Sequence, residues 1–164
     1  MSFKKNKYIV VKKVISKDLA IFLYNYVAIK KQVYDTCRRF KYISPFENMI
    51  GFYEDKAAQV ENTYAHYSDV AMETLLLKCQ PVMEKVTKLK LYPSYSYTRF
   101  YKKGDVLKRH TDRFSCEIST TMNLGGDPWP IYLEPSGKAG QKGIKIDLKP
   151  GDMLIYKGVD LEHW

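Results

Sequence analysis

The chain has 164 residues, 45% of them hydrophobic and 27% charged, with a mean hydropathy of −0.39, which is enough apolar surface for one folded domain and too much for a disordered chain. Its 27 Lys and Arg against 18 Asp and Glu give a net charge of +9, all of it in the first quarter: eleven basic residues meet two acids through Lys41, and sixteen meet sixteen beyond it. No apolar run approaches the roughly 18 residues of a membrane-spanning helix, residues 8–11 are too short for a signal peptide, and Cys37, Cys79 and Cys116 lack the spacing of a disulfide framework or zinc site, so a reducing cytoplasm is the expected compartment.

In chain order, residues 7–15 carry a strand-like apolar stretch. Ser16 then stands as a helix cap before Leu19, Phe22, Leu23, Tyr26, Val27, Val33, Tyr34 and Cys37, the spacing of an amphipathic helix. Asp18 near its start and Arg38 and Arg39 near its end suit the helix dipole. Residues 44–56 read as a loop. A second helix runs through Met72, Leu75, Leu76, Cys79, Val82, Met83, Val86 and Leu89, capped by Ser68 or Asp69, and Pro81 predicts a kink or break in it. From Tyr95 the period becomes two, with Tyr95, Tyr97, Arg99 and Tyr101 on one face of a strand. Further strands are expected over 106–109, 117–124, 129–134, 144–148 and 153–156, separated by turns such as Gly125-Gly126-Asp127 and Pro150-Gly151-Asp152. The chain therefore divides into a helical front, about 1–91, and a strand-rich back, about 92–164, within a single α+β domain whose many short strands suggest a sandwich or jelly roll.

The chemistry concentrates in the back. His110 and Asp112 are two positions apart, so an extended strand puts both on one face within reach of a single cation. His163 could complete a facial triad, which leaves coordination positions open for a bidentate co-substrate and dioxygen. HxD alone is common, but its context is not: it follows Tyr101-Lys102-Lys103-Gly104, and the second histidine follows Pro150-Gly151-Asp152 and the apolar strand Met153-Leu154-Ile155-Tyr156.

Over residues 95–164 this arrangement resembles the prolyl 4-hydroxylase-like branch of the 2-oxoglutarate and Fe(II)-dependent dioxygenases. The resemblance implies a double-stranded β-helix (jelly roll) with N-terminal helices packed on one sheet, and His110, Asp112 and His163 as iron ligands. It implies Fe(II), 2-oxoglutarate and dioxygen as partners in the reaction, with ascorbate as an accompanying reductant. It also places Tyr101, nine residues before the first ligand, on the 2-oxoglutarate carboxylate, and Thr121 and Asn123 as weaker candidates for the pocket wall. The implied chemistry is oxidation of an unactivated C–H bond, with 2-oxoglutarate converted to succinate and CO2.

One feature departs from the family. Its basic partner for the distal 2-oxoglutarate carboxylate usually lies about ten residues beyond the second histidine, on a last barrel strand, and this sequence stops at Trp164. The expectations are a C-terminal tail that supplies it, a basic residue from elsewhere with Arg99 the nearest, or a barrel that binds metal without turnover.

Arg99, Lys102, Lys103, Lys108, Arg109 and Arg113 around the triad suggest a positive pocket mouth, weighed against a solvated loop. The basic front reads as a solvated helix face more than a nucleic-acid surface, His66 as a loop or core residue, and Trp129 and Trp164 as packing residues, with Trp164 also able to wall the pocket. A peptide or protein substrate, best a peptidyl proline, leads by analogy, and small-molecule and nucleic-acid substrates stay open. The Tyr-, Lys- and Ile-rich usage is that of an AT-rich genome, a phage or a low-GC bacterium; for a phage protein the compartment is the host cytoplasm.

Overall fold

In the computed structural model, which describes residues 2–56 and 58–164, two long helices lie among short strands drawn from both halves of the chain. The elements in order are α1 (Phe3–Asn6), β1 (Tyr8–Val11), α2 (Lys17–Arg39), β2 (Phe52–Tyr53), β3 (Tyr64–Tyr67), α3 (Val70–Thr87), β4 (Tyr97–Phe100), β5 (Ile118–Met122), β6 (Ile131–Leu133), β7 (Ile144–Ile146) and β8 (Met153–Lys157), with a 3-10 turn over Phe114–Cys116.

Helix α2 starts where Ser16 takes an extended conformation and its Oγ accepts the Leu19 N–H at 3.1 Å. It buries Ala20, Leu23, Val27 and Tyr34 against Ile15, Tyr64 and Met72. Phe22 and Val33, which the apolar pattern assigned to the core, are instead exposed. The helix carries apolar residues on two sides, and periodicity alone does not say which stripe the core takes.

Asp69 caps α3, accepting from the Ala71 and Met72 amides at 2.9 and 3.2 Å. The helix runs from Val70 through Pro81 to Thr87 without a break. Pro81 has no N–H for the Leu77 carbonyl, and Leu77 lies on the exposed side of the helix, where water can satisfy that oxygen.

Two three-stranded sheets follow, in the orders β1-β8-β5 and β2-β3-β4, both antiparallel, with a β6–β7 pair beside them. In the central strand β8, Met153, Leu154 and Ile155 are fully buried, each contributing roughly 1.5–3 kcal/mol of burial free energy. Met153 and Ile155 pack with Phe3, Cys79 and Met83 on the side of α1 and α3. Leu154 and Tyr156 face the other way, with Leu133, Ile146, Leu148 and Leu161.

The closed double-stranded β-helix expected from sequence is not present among the described residues. The sheets are fragmented: residues 106–109 form no strand, and the segments bearing His110 and His163 join the β6–β7 side only through isolated bridges, His110 to His163 and Leu133 to His163. Gly104 and Pro150-Gly151-Asp152 lie at turns as expected, and the Asp152 side chain holds the Lys13 and Lys149 amides at 3.0 Å each. A Cβ on Gly151, at φ +88°, would run into the Ile15 carbonyl, so this turn needs glycine for both conformation and space.

Candidate metal centre

Three stretches of backbone converge on the ligand set. His110 and His163 face each other across an antiparallel bridge and exchange N–H···O bonds of 3.0 and 2.9 Å. The Asp112 N–H donates to the Gly158 carbonyl at 2.8 Å, at the end of β8. The 2.8 Å bond from Tyr132 N–H to Trp164 O and its 3.1 Å counterpart anchor the distal side to β6.

The imidazoles are oriented for coordination. His110 Nδ1 lies 2.7 Å from the Lys108 carbonyl and His163 Nδ1 lies 3.1 Å from the Leu161 carbonyl. A carbonyl only accepts, so each Nδ1 carries a proton, and in the neutral ring each Nε2 is the nitrogen with the free lone pair. The two Nε2 atoms lie 3.8 and 3.5 Å from Asp112 Oδ1, and the three ligand atoms fall within 4.8 Å of one another. Burial and the neighbouring His163 push the His110 pKa down, favouring the neutral ligand form. Burial raises the Asp112 pKa, but the approach of His163 and the hydrogen bond from Ser119 outweigh it and hold the carboxyl below its ordinary value. Two imidazoles and one carboxylate within reach of one cation fit a mononuclear Fe(II) site with open positions.

Ser119 and Gly158 complete the carboxylate's support. Ser119 Oγ donates to Asp112 Oδ2 at 2.5 Å, and the bare Cα of Gly158 leaves the space Asp112 occupies. Neither stands out in the sequence. Ser119 could have been found from its period-two relation to Thr121, but Gly158 carried no readable signal.

Of the other expected residues, Tyr101 stacks on Trp129 with centroids 5.1 Å apart and accepts from Arg99 Nη1 at 3.1 Å. Thr121 hydrogen-bonds Tyr156, a buried tyrosine whose ring meets His163 edge-on at 4.7 Å. Burial and the Asp112 charge raise the Tyr156 pKa, so its phenol stays protonated near the ligands. Asn123 lies four residues beyond Ser119, about 13 Å along the strand direction. Its carbonyl accepts the Gly151 N–H at 2.9 Å, which ties it to the turn before β8.

Arg99 is nearly buried, and its Nη2 pairs with Glu54 Oε1 at 2.7 Å; the same oxygen accepts from the Tyr97 hydroxyl. The positive field of Arg99 reaches His110 and contributes to lowering its pKa. The surrounding cations are largely engaged: Lys102 pairs with Asp105, Arg109 with Glu162 while lying over Trp164, and Arg113 lies over Tyr95. Trp164 stacks on Tyr132 with centroids 5.6 Å apart. His66 is buried on β3, its Nδ1 3.2 Å from Asp69 Oδ2, and takes no part in the ligand set.

No protein-family model and no curated protein matches the sequence. Among solved structures, a Pseudomonas putida prolyl-4-hydroxylase is similar over 98% of this chain and 85% of its own, with a TM-score of 0.57 and 15% identity. The chain's α+β fold resembles that of this prolyl-4-hydroxylase. That likeness extends beyond residues 95–164 to the helices and strands of the front, so the prolyl-4-hydroxylase fold accounts for nearly the whole chain. No helix of the described residues is long and apolar enough to cross a membrane.

Proposed function

We propose that this chain is an Fe(II)- and 2-oxoglutarate-dependent dioxygenase that hydroxylates an unactivated C–H bond, best a peptidyl proline. The observation that carries the proposal is the cluster of two imidazole Nε2 atoms and one carboxylate oxygen within 4.8 Å of one another, in a fold similar to that of a prolyl-4-hydroxylase. His110, Asp112 and His163 would hold the metal. Bound there with 2-oxoglutarate and dioxygen, Fe(II) supplies oxidative decarboxylation to succinate and CO2 coupled to oxygen insertion into the substrate.

The protein's own residues orient and enclose this chemistry. Ser119 fixes the free oxygen of Asp112, while the Lys108 and Leu161 carbonyls fix the imidazole tautomers. Tyr156 and Leu133 fill the space behind His163 and keep water from that side. Arg99 and Tyr101 are the groups assigned to the distal carboxylate of 2-oxoglutarate, with Thr121 lining the wall.

The test is anaerobic loading with Fe(II), then addition of oxygen and 2-oxoglutarate with succinate as the readout. Wild type is expected to release succinate and His110→Ala to release none above background; equal release from both overturns the proposal. A set of proline-containing peptides tests the substrate, with hydroxyproline as the product to detect.

A further inference from the structure

The two histidines of the candidate centre meet at isolated bridges rather than inside a strand ladder, so backbone pairing alone fixes their spacing weakly. His110 pairs with His163, His163 with Leu133, and Leu133 with Ile144 of β7, all antiparallel, which makes one row of side chains across four segments. The neighbouring row in the same register is Arg109, Trp164, Tyr132 and Lys145. Successive side chains of an extended chain point to opposite faces, so this second row lies on the outer side of the layer whose inner side carries the ligands. Burial agrees: His163 and Leu133 are buried, Trp164 and Tyr132 are half-buried, and Arg109 and Lys145 are exposed.

The outer row is packed together. The Arg109 guanidinium lies 3.5 Å from the Trp164 ring centroid, and the indole stacks on Tyr132 with 11° between the planes. Arg109 Nη1 donates to Glu162 Oε2 at 3.0 Å, and the same oxygen accepts the Gly140 N–H at 3.0 Å. Gly143, at φ +67°, leaves room for the stack, because a Cβ there would overlap the indole and the Leu133 carbonyl. The residue before His110 is thereby fastened to the residues on both sides of His163.

Resting on the ligand set proposed above, we infer that Arg109, Glu162 and Trp164 are positioning residues that splint the metal centre from its outer face and set the spacing of the His110 and His163 imidazoles.

The sign of the effect separates a splint from a charge. Arg109 is a cation one residue from a ligand, so by Coulomb repulsion alone its removal would strengthen the binding of a divalent ion. As part of a splint, its removal weakens that binding.

Titration of the metal-free full chain with Co(II), followed by its visible d–d absorption, is the test. Wild type is expected to bind the ion and His110→Ala to lose it. Arg109→Ala and Trp164→Leu should each weaken Co(II) binding about tenfold and alter the d–d bands. Arg109→Lys keeps the charge without the planar stack, so it should also bind more weakly than wild type. Arg109→Ala and Trp164→Leu together should cost well under the roughly hundredfold expected of independent effects, since both break one contact. Circular dichroism checks the fold of each variant, and exposed Arg109 carries the test if Trp164→Leu does not fold. A wild type that binds no Co(II) overturns the ligand set and the splint with it. Affinity unchanged or raised in a folded Arg109→Ala overturns the splint and leaves the ligand set standing. Fully independent effects of the two substitutions overturn the claim that Arg109 and Trp164 act as one unit.

Discussion

Gly158 lies against Asp112 because it has no side chain: a methyl group there would overlap Asp112 Oδ2, Ser119 Oγ and the Cys116 carbonyl. Gly158→Ala should therefore displace the carboxylate and lower Fe(II) affinity, with little change in far-ultraviolet circular dichroism. Ser119→Ala removes only the hydrogen bond to Asp112 Oδ2 and should cost about 10- to 100-fold in metal affinity, read by titration with Fe(II) or a spectroscopically visible surrogate ion. Wild-type affinity in both variants would show that Asp112 needs no such support. The candidate ligands were legible because HxD and the distal histidine are polar residues in a rare local context. Their supports were not, because a serine in a strand and a glycine after one look like any others until the backbone brings Gly158 beside Asp112.

At the scale of elements, two buried ion pairs tie neighbouring segments together. Asp69 caps α3 and also accepts from Tyr26 and Lys30 of α2, at 2.8 and 2.5 Å, beside His66 of β3. Burial raises the Asp69 pKa, but the bonds from Lys30, Tyr26 and the Met72 amide outweigh it and hold the carboxyl below its ordinary value. A depressed carboxylate stabilises the fold above its unfolded pKa of about 4, and that contribution disappears as pH falls through the lower folded value. Burial, then the Lys30 charge, push His66 down, so its neutral form favours the fold above about pH 6.5 and this term is lost as pH falls through the folded value. Both terms weaken the fold in acid. Asp69→Asn should cost about 3 kcal/mol at neutral pH, and its Tm deficit should narrow as the pH is lowered toward and below 4.

The Arg99–Glu54 pair links β4 to the segment after β2. Arg99→Met leaves Glu54 buried without its cation and should cost about 3–5 kcal/mol in urea unfolding, whereas adding Glu54→Gln should recover much of the loss. A loss unchanged in the double variant would place the cost in Arg99 packing instead.

The long helices and most back-half strands were legible from periodicity and turn residues. Strands β2 and β3 were not, because Tyr64, Ala65 and His66 are all buried and so show no alternation. The failure of residues 106–109 to form a strand also has a local cause. Val106 is exposed and nothing in the sequence reveals that the segment finds no paired neighbour there.

For the whole molecule, part of the +9 excess is neutralised within the fold. Several front-half cations are already paired, Lys7 with Asp160, Lys12 with Asp152, Lys30 with Asp69 and Lys31 with Asp35, and the middle of the longest front-half helix, from Ile21 to Thr36, turns uncharged residues outward. Fe(II) that binds the folded chain alone should raise its Tm, by an amount equivalent to about 2.7 kcal/mol at a free concentration one hundred times Kd. Differential scanning calorimetry with and without the ion under anaerobic conditions measures it; an unchanged Tm would show that the folded chain binds no Fe(II) in preference to the unfolded chain.

The mutual bridge between His110 and His163 sets the first and last ligands side by side although 163 − 110 = 53 positions separate them in the chain. An ion shared by these two side chains would close that excursion as a removable cross-link, fastening strands β5 through β8 into one ring of covalent and coordinate bonds. Limited proteolysis would then report occupancy directly: chelation should open the ring and expose the 135–143 turn and its neighbours to nicking, and restoring the ion should close it again.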